Sequence, residues 1–363
     1  MLRISHSSVV TAWRQRERFL RQDGIDLTLV TAARWDEGGG LVDFTADGDE
    51  FAVGVRTLGH HPNLFLFDPR PLWRLLGDGP WDLIDMHEEP FGLAVAEVLA
   101  LRALRARRTP YLVASAQNLE KRYPPPFRWF ERWSLRGAAG AYTCNTQAGE
   151  ILRRRGLTGE LELLPLGVDT SRFRPVDRTP PAGRLRVGYV GRLIPVKGVD
   201  VLLGAIAADD RLDLDLYGDG PDRDALVALA ADLGVTDRVT FHGHVDEATL
   251  TRTVPRFDVL AVPSVPVPNV LEQFGRVVVE DQASGVPVVA SDCGALPDVA
   301  GGAGVLVPPG DPRALGAALA RFLDEPGLWE RLRAEGLATV GRYSWSSVAA
   351  LQASLYERVA ART

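Results

Sequence analysis

Short apolar segments alternate with segments of helical periodicity along almost the whole chain, in two separate series. The first series starts at the apolar segment 2–6 and the second at the segment 185–190. Strands that alternate with helices predict parallel sheets covered by helices on both faces. A chain of 363 residues is long enough for two such domains. The sequence therefore predicts an α/β protein with two doubly wound, Rossmann-like domains.

A proline-rich stretch separates the two series. Residues 165–184 contain four prolines and indicate an extended connector rather than a helix or a strand. We expect an N-terminal domain over 1–170, a C-terminal domain over 171–340 and a last helix at 341–363 that returns to the N-terminal domain. Residues 38–61 interrupt the alternation, and their Gly, Asp and Phe content predicts a hairpin or a long loop.

Composition and charge limit the class of partner. The net charge of −6 and the lack of a basic domain argue against nucleic acid. Only two cysteines are present, and we find no signal-peptide or membrane-spanning pattern, so a cytoplasmic location is expected. The arginine-rich segment 128–136 also contains Trp129, Phe130 and Trp133. A solvated helix face is the usual interpretation of such a segment, and contact with an anionic membrane surface is the alternative.

The segment RVGYVGRLIPVKGVD, residues 186–200, predicts a phosphate-binding loop. A predicted strand ends before Gly191 and a helix begins near Gly198, so free N–H groups and a positive dipole end point to the sheet edge. Arg192 and Lys197 add two cations there. Lys197 is one of only two lysines among the 41 basic residues. Because the chain otherwise uses arginine, a lysine at this position indicates a specific role. A tight turn with two solvated cations is the alternative interpretation.

A second segment, 272–281, places two glutamates around another predicted helix start. The helix begins near Gly275, with Glu272 before it and Glu280 inside it. Two carboxylates and the amides of Phe274 and Gly275 can bind the hydroxyl groups of a sugar. The alternative is one loop glutamate and one solvated helix glutamate. Because Glu280 follows three valines, however, it is expected beside a buried face, where a carboxylate needs partners.

In the first half of the chain, polar side chains follow three predicted strands. The carboxyl ends of parallel strands share one sheet edge, where ligands bind. A buried histidine and solvated charged groups are the alternative interpretation. The candidates are His6 and Ser7 at the end of the first strand, His87, Glu88 and Glu89 at the end of the segment 82–87, and Asn118 and Lys121 after the segment 111–116.

These motifs together resemble the family 4 retaining glycosyltransferases of the GT-B fold. GYVGRLIPVKG resembles the phosphate loop of that family, and the glutamates of EQFGRVVVE resemble its E-x7-E motif. LPLGVDTSRFRP, DMHEEP and SAQNLEKRYPPPF resemble further segments, so the resemblance covers nearly the whole chain. It implies a GT-B fold, in which two Rossmann-like domains face a central cleft. Many members have a Gly-Gly loop after the first strand, where this chain has SHSSVV. The resemblance therefore leaves open whether that segment contacts the diphosphate or the acceptor.

The resemblance also implies a role for each site residue. The donor nucleotide would bind at Gly191, Arg192, Lys197 and Glu280, and the donor sugar at Glu272, Phe274, Gly275 and His87. The catalytic set would be His87, Arg192, Lys197 and Glu272. The acceptor would bind at His6, Ser7, Glu88, Glu89, Asn118 and Lys121.

The activity implied by the resemblance is retaining transfer of a hexose-type sugar from a UDP- or GDP-linked donor to an acceptor hydroxyl. The reaction would be a front-side displacement that needs no metal and no other cofactor. The acceptor would be a small molecule, a glycan or a lipid-linked glycan. A sugar phosphorylase or a nucleotide-sugar epimerase on the same fold is the alternative. A non-catalytic binding protein is disfavoured by the complete set of site residues, and a dehydrogenase by the lack of a GxGxxG motif.

Overall fold

The structure, a computed structural model, describes residues 1–36 and 40–362 and divides the chain into two compact units. Unit 1 consists of Met1–Pro165 together with the residues from Trp345 onward. Unit 2 is the continuous segment Leu166–Ser344. The sequence predicts these boundaries at 170 and 340. None of the helices in the described part of the chain is long and apolar enough to span a membrane.

In the part of unit 1 that the structure describes, eleven strands and five α-helices come before the chain enters unit 2. The strands are β1 Leu2–Ile4, β2 Thr28–Ala32, β3 Arg34–Asp36, β4 Leu41–Asp43, β5 Ala52–Val55, β6 Thr57–Leu58, β7 Leu66–Phe67, β8 Ile84–Met86, β9 Tyr111–Ser115, β10 Gly140–Thr143 and β11 Glu160–Leu163. The helices are α1 Gln15–Gln22, α2 Pro69–Asp78, α3 Leu93–Arg105, α4 Phe127–Gly137 and α5 Thr146–Arg154.

Unit 2 alternates strands and helices almost strictly. Its strands are β12 Leu185–Val190, β13 Leu212–Tyr217, β14 Val239–Gly243, β15 Val259–Val262, β16 Val288–Ser291 and β17 Gly304–Val307. Its helices are α6 Val199–Ala208, α7 Arg223–Asp232, α8 Glu247–Thr253, α9 Arg276–Ala283, α10 Leu296–Ala300, α11 Pro312–Asp324 and α12 Leu328–Thr339. The last helix, α13 Trp345–Ala360, belongs to unit 1 and packs against α1.

Both units are built on a parallel sheet with one reversal of strand order. Unit 2 has the order β14-β13-β12-β15-β16-β17, which reverses between β12 and β15. Unit 1 has the order β11-β10-β9-β8-β1-β2-β5, which reverses between β1 and β8. The loops that leave the carboxyl ends of the two strands at such a reversal diverge and open a ligand crevice. The predicted α/β class with two Rossmann-like units is confirmed, and each unit has one such place.

Two charged residues lie inside the buried sheet of unit 1. Arg3 on β1 and Asp85 on β8 are partners across the two strands, and both side chains are fully buried. Burial alone would lower the pKa of Arg3, but the charges of Asp85 and of buried Glu17 contribute to holding it well above its usual value. From α13, the Gln352 amide and the Tyr356 hydroxyl donate hydrogen bonds to Asp85 Oδ2 at 2.7 and 2.5 Å. This network ties the last helix to the centre of the sheet.

Two sequence predictions need correction. A hairpin or loop was expected over 38–61, and β4 does pair with β3, but β5 is a parallel edge strand of the main sheet. Strand β5 lacks a clear alternation of polar and apolar side chains because it contains Gly54. A Cβ at this position would collide with the Phe44 ring. Residues 38 and 39 lie outside the described part of the chain. A last helix is expected at 341–363, but α13 spans Trp345–Ala360 and begins after Ser344, where the chain passes from one unit to the other.

Candidate active site

The loop after β12 forms one wall of the strand reversal in unit 2. It passes Gly191 and closes with a 3-10 turn, Pro195–Lys197, before α6 begins. Gly198 has a φ of +62°, and a Cβ there would come within 2.0 Å of the Pro263 carbonyl oxygen. Glycine is therefore required for backbone conformation and for space. The close approach holds this loop against the segment that follows β15.

An ion pair joins the two loops at this reversal. Lys197 Nζ lies 2.6 Å from Glu272 Oε2, and these side chains are only 24% and 11% exposed. Ser264 Oγ donates a second hydrogen bond, of 3.1 Å, to the same carboxylate oxygen. The sequence predicts that the two loops share a ligand site, and the structure brings their key residues into direct contact. A cation and a carboxylate are thus fixed side by side at the carboxyl edge of the sheet.

The start of α9 provides backbone donors next to this ion pair. Gly275, the N-cap, has a φ of +79°, and a Cβ there would lie 2.7 Å from Leu296 Cδ2. The Phe274 ring is buried against Tyr343, which fixes the approach of the chain. Among the described residues, no acceptor is found for the amides of Phe274 or Gly275. Two N–H groups and the positive end of the helix dipole are therefore available to a polar ligand.

Arg192 supplies a second cation on the loop after β12. The buried Tyr189 hydroxyl donates a 2.9 Å hydrogen bond to the Arg192 carbonyl and so holds the backbone at that point. The Arg192 side chain is exposed, and it makes no ion pair with any residue in 1–36 or 40–362. Its guanidinium can therefore bind an anion without breaking an existing contact.

Glu280 and Asp281 are neighbours on α9 with different surroundings. Glu280 is partly exposed, and burial raises its pKa to about 6 although Arg276 opposes the shift. Asp281 is fully buried, and neither carboxylate oxygen has a hydrogen-bond partner among the described residues. Burial and the charge of Glu280 raise the pKa of Asp281 well above its usual value. Burial therefore disfavours the charged form of both carboxyl groups, and of the two only Glu280 is accessible to a ligand.

The strand reversal in unit 1 carries a second pair of the same kind. His6, after β1, and Glu88, after β8, meet through His6 Nδ1 at 2.8 and 2.7 Å from the two carboxylate oxygens. The His6 amide also donates to Glu88 Oε1 at 2.7 Å. The imidazole packs on the rings of Trp35 and Phe65, with centroids 4.6 and 5.1 Å away. In both units, then, a basic and an acidic side chain connect the two loops at the strand reversal.

His87 is held by the buried network of unit 1. Its Nδ1 lies 3.0 Å from the Tyr142 hydroxyl, which donates its own hydrogen to Asp85 Oδ1 at 3.0 Å. Because Tyr142 uses its only hydrogen on Asp85, its oxygen accepts from His87, and the proton of the imidazole is assigned to Nδ1. Burial and the charges of Arg3 and His6 lower the pKa of His87 well below its usual value. His87 is therefore a neutral imidazole whose Nε2 can accept a hydrogen bond.

We expect Tyr142→Phe to lower kcat/KM for sugar transfer by about tenfold or more, because His87 then loses the partner that fixes its tautomer. Tyr356→Phe is the matched control, since it removes a hydroxyl from the same Asp85 carboxylate without touching His87. Imidazole ¹⁵N shifts should show a change of the His87 tautomer only in Tyr142→Phe. If both variants lose activity equally with an unchanged tautomer, Tyr142 has only a structural role.

Several other predicted acceptor residues in unit 1 have internal contacts. Glu89 accepts from Ser115 Oγ at 2.7 Å and from the Ala116 amide at 2.8 Å, and burial raises its pKa to about 7. Asn118 is nearly buried, and the Lys121 carbonyl accepts a hydrogen bond from Arg155. Ser7 Oγ lies 3.2 Å from Ser5 Oγ. Glu89 thus holds the loop after β9, and acceptor binding by this group of residues stays a prediction.

The structure places all predicted donor residues of unit 2 at the carboxyl edge of its sheet and on α9. Sequence reasoning missed Ser264, Tyr142 and Asp85. Arg3 and Asp85 could have been recognised, because each is a charged residue inside an otherwise apolar strand. In 1–36 and 40–362, no group of three or more His, Cys, Asp or Glu side chains is arranged as metal ligands. The expected metal independence stays a prediction.

Two family models match this chain and together cover most of it. The model described as "Glycosyl transferase 4-like domain" matches residues 9–167, and the model "Glycosyl transferases group 1" matches residues 184–325. The first match lies in unit 1 except for its last two residues, and the second match lies in unit 2.

Curated relatives agree with these models. A D-inositol 3-phosphate glycosyltransferase of Streptomyces bingchenggensis is 31% identical in an alignment 310 residues long, which covers 77% of this chain and 67% of the relative. An MMP alpha-(1->4)-mannosyltransferase of Mycolicibacterium hassiacum is 34% identical in an alignment 229 residues long, which covers 60% of this chain and 53% of the relative. The matched segments therefore leave a third or more of each relative without a counterpart.

Solved structures share the fold at low sequence identity. Sucrose-phosphate synthase from Thermosynechococcus elongatus has a TM-score of 0.75 at 21% identity, with 100% of this chain and 99% of that chain covered. HepE from Anabaena in complex with UDP has a TM-score of 0.73 at 18% identity, with 98% of both chains covered.

Proposed function

Because this chain belongs to the family 4 glycosyltransferases of the GT-B fold, we propose that it transfers a hexose-type sugar from a nucleotide diphosphate sugar to an acceptor hydroxyl with retention of configuration. The family membership makes the chain a glycosyltransferase. The donor, the acceptor and the stereochemistry are parts of the proposal.

The observation that carries the proposal is the contact between Lys197 and Glu272. It brings together a cation from the loop after β12 and a carboxylate from the loop after β15, at a distance of 2.6 Å. A diphosphate needs fixed positive charge, and a sugar needs hydrogen-bond acceptors for its hydroxyls. A nucleotide-sugar carries both groups a few bonds apart. In the ion pair, the cation that would bind the diphosphate likewise lies next to the carboxylate that would bind the sugar.

In this proposal, unit 2 binds the donor. Arg192 and Lys197 hold the two phosphates, and the amides of Phe274 and Gly275 donate to the transferred sugar. As the bond between the anomeric carbon and the phosphate oxygen breaks, negative charge grows on the diphosphate. Lys197 and Arg192 stabilise that charge, so the proposal needs no metal ion. Unchanged turnover after removal of divalent cations with EDTA supports this point, and a loss restored by Mg²⁺ contradicts it.

Retention in this proposal follows from displacement on one face of the sugar. The acceptor hydroxyl attacks from the face that the diphosphate leaves, and the departing phosphate oxygen takes its proton. The protein supplies position and charge. His87, a neutral imidazole with an acceptor nitrogen at Nε2, is suited to bind a sugar hydroxyl and not to donate a proton. Its role as a sugar ligand is therefore consistent with its protonation state.

Unit 1 would bind the acceptor through polar groups at its own strand reversal. The pair His6 and Glu88 lies there, and a carboxylate with an imidazole can bind two adjacent hydroxyls. The relatives named above include an enzyme named for D-inositol 3-phosphate, a polyhydroxylated ring. We therefore propose a polyhydroxylated acceptor, in free, glycan or lipid-linked form.

Glu280 gives the donor site a specific pH dependence. If its carboxylate binds the ribose hydroxyls, donor affinity should fall by up to about tenfold per pH unit below pH 6, because protonation removes the charged acceptor. Affinity should be independent of this group above about pH 7. Calorimetry with a nucleotide-sugar is the suitable measurement, since its diphosphate has no group that titrates near pH 6. Glu280→Gln should bind more weakly and without this slope, and an unchanged slope in that variant excludes Glu280 as its source.

The direct test of the proposal is a donor panel. UDP, GDP and their glucose, mannose and N-acetylglucosamine derivatives are tested for an increase in melting temperature, which reports binding to the folded state. The stabilising donor is then incubated with polyol and sugar acceptors, and the anomeric configuration of the product is assigned by NMR. An inverted product contradicts retention. Use of inorganic phosphate favours a sugar phosphorylase, and a donor converted without acceptor favours an epimerase.

A further inference from the structure

The outer face of α4 has a composition that the proposed transfer reaction does not explain. Trp129 and Trp133 lie one turn apart and are 58% and 44% exposed. The inner face of the same helix is buried through Glu131, Ser134 and Leu135. Two large aromatic side chains on one helix face are costly to leave in water. The arrangement indicates a partner for this face.

The charge of this face is entirely positive. Arg128, Arg132 and Arg136 are exposed and follow each other at intervals of four residues, which places them in one row beside the tryptophans. None of the three forms an ion pair with a residue in the described part of the chain. The single acid of α4, Glu131, is buried and paired with Arg155. This helix face therefore carries three positive charges although the chain as a whole has a net charge of −6.

Helix α4 packs against a loop at the carboxyl edge of the sheet of unit 1. The helix follows the loop that leaves β9, and Ser134 Oγ donates a 2.8 Å hydrogen bond to the Pro90 carbonyl. Pro90 directly follows Glu89 in the loop after β8. The inner side of α4 thus contacts the chain segment that contains His87 and Glu88.

We propose that the outer face of α4, formed by Arg128, Trp129, Arg132, Trp133 and Arg136, docks on an anionic membrane surface. Tryptophan prefers the interface between headgroups and acyl chains, and arginine binds the lipid phosphates beside it. Charge complementarity favours this partner over a second copy of the chain, because a twofold contact through this face would oppose arginine with arginine.

The test is co-sedimentation of the full chain with vesicles. We expect binding to vesicles of equal parts phosphatidylglycerol and phosphatidylcholine, little binding to pure phosphatidylcholine, and loss of binding as salt rises from about 0.1 to 0.5 M. Replacing the three arginines of the face by glutamine should weaken binding by roughly a hundredfold, at about fivefold per charge. Trp129→Ser with Trp133→Ser should weaken binding even at low salt.

The matched control removes the same charge elsewhere. Arg313, Arg321 and Arg331 are exposed on α11 and α12 of unit 2, and their replacement by glutamine should leave vesicle binding unchanged. Far-ultraviolet circular dichroism and donor binding serve as folding checks for every variant. Failure of the wild-type chain to bind anionic vesicles overturns the proposal, as does equal binding by the α4 variants. A dimer that dissociates in the α4 variants, seen by light scattering, assigns the face to a second copy instead.

Discussion

Replacement of Lys197 by alanine is expected to lower kcat/KM for sugar transfer by at least about a hundredfold. The cation lies beside Glu272 at the strand reversal of unit 2, where the leaving diphosphate would gain its charge. Removal of one fixed group that stabilises a developing anion typically has this effect. Arginine at the same position keeps the charge but has a larger, planar head, so Lys197→Arg should recover activity only in part.

The control for this prediction is Arg184→Ala. It removes an ion pair with Asp213 from the surface of the same unit, at the start of β12 and away from its carboxyl end. We expect this variant to transfer sugar at the wild-type rate. Both variants should retain the melting behaviour of unit 2, measured calorimetrically, within a few degrees. Turnover in Lys197→Ala close to wild type would remove the basis of the proposed phosphate site.

Glu272→Gln is expected to reduce kcat by about a hundredfold while nucleotide affinity changes less than about threefold. The carboxylate is proposed to bind the transferred sugar, which free UDP or GDP lacks. Glutamine keeps the size and the hydrogen bond from Ser264, but it loses the charged contact with Lys197. Steady-state kinetics with the preferred donor and calorimetry with the free nucleotide separate the two effects.

The matched comparison is Glu280→Gln, the second glutamate of the same segment. It should weaken nucleotide binding, because Glu280 is proposed to hold the ribose, and should reduce kcat less than Glu272→Gln does. Opposite results for the two variants would exchange their assigned roles. Equal loss of nucleotide affinity in both would indicate that Lys197 needs Glu272 as a partner in order to hold the diphosphate.

The elements of unit 2 could be predicted closely from the sequence. Strands β15 and β16 are buried apolar runs, since a parallel sheet buries both faces, and glycines at positive φ mark where helices start or end. Helix starts are expected from the sequence near Gly198 and Gly275, and both glycines have a positive φ at those places. In unit 1, α2 was not predicted as a helix, whereas the segment that forms α4 was interpreted as a solvated helix face.

Contacts between distant residues could not be predicted from the sequence. His6 and Glu88 are 82 positions apart, and Lys197 and Glu272 are 75 apart. The strand order that brings them together is a property of the folded sheet. The same holds for the tautomer of His87, which depends on Tyr142 and Asp85. The candidate site residues could be identified from sequence motifs, whereas their interaction partners and protonation states could be assigned only from the structure.

The return of α13 to unit 1 sets an order for the folding of the nascent chain. Unit 2 is one continuous segment and is complete once Ser344 has left the ribosome. Unit 1 is started first, yet Asp85 at the centre of its sheet receives hydrogen bonds from Gln352 and Tyr356. Until those residues are synthesised, its core lacks α13 and a buried carboxylate lacks two of its donors. The half of the protein that is made first is therefore the half that finishes folding last.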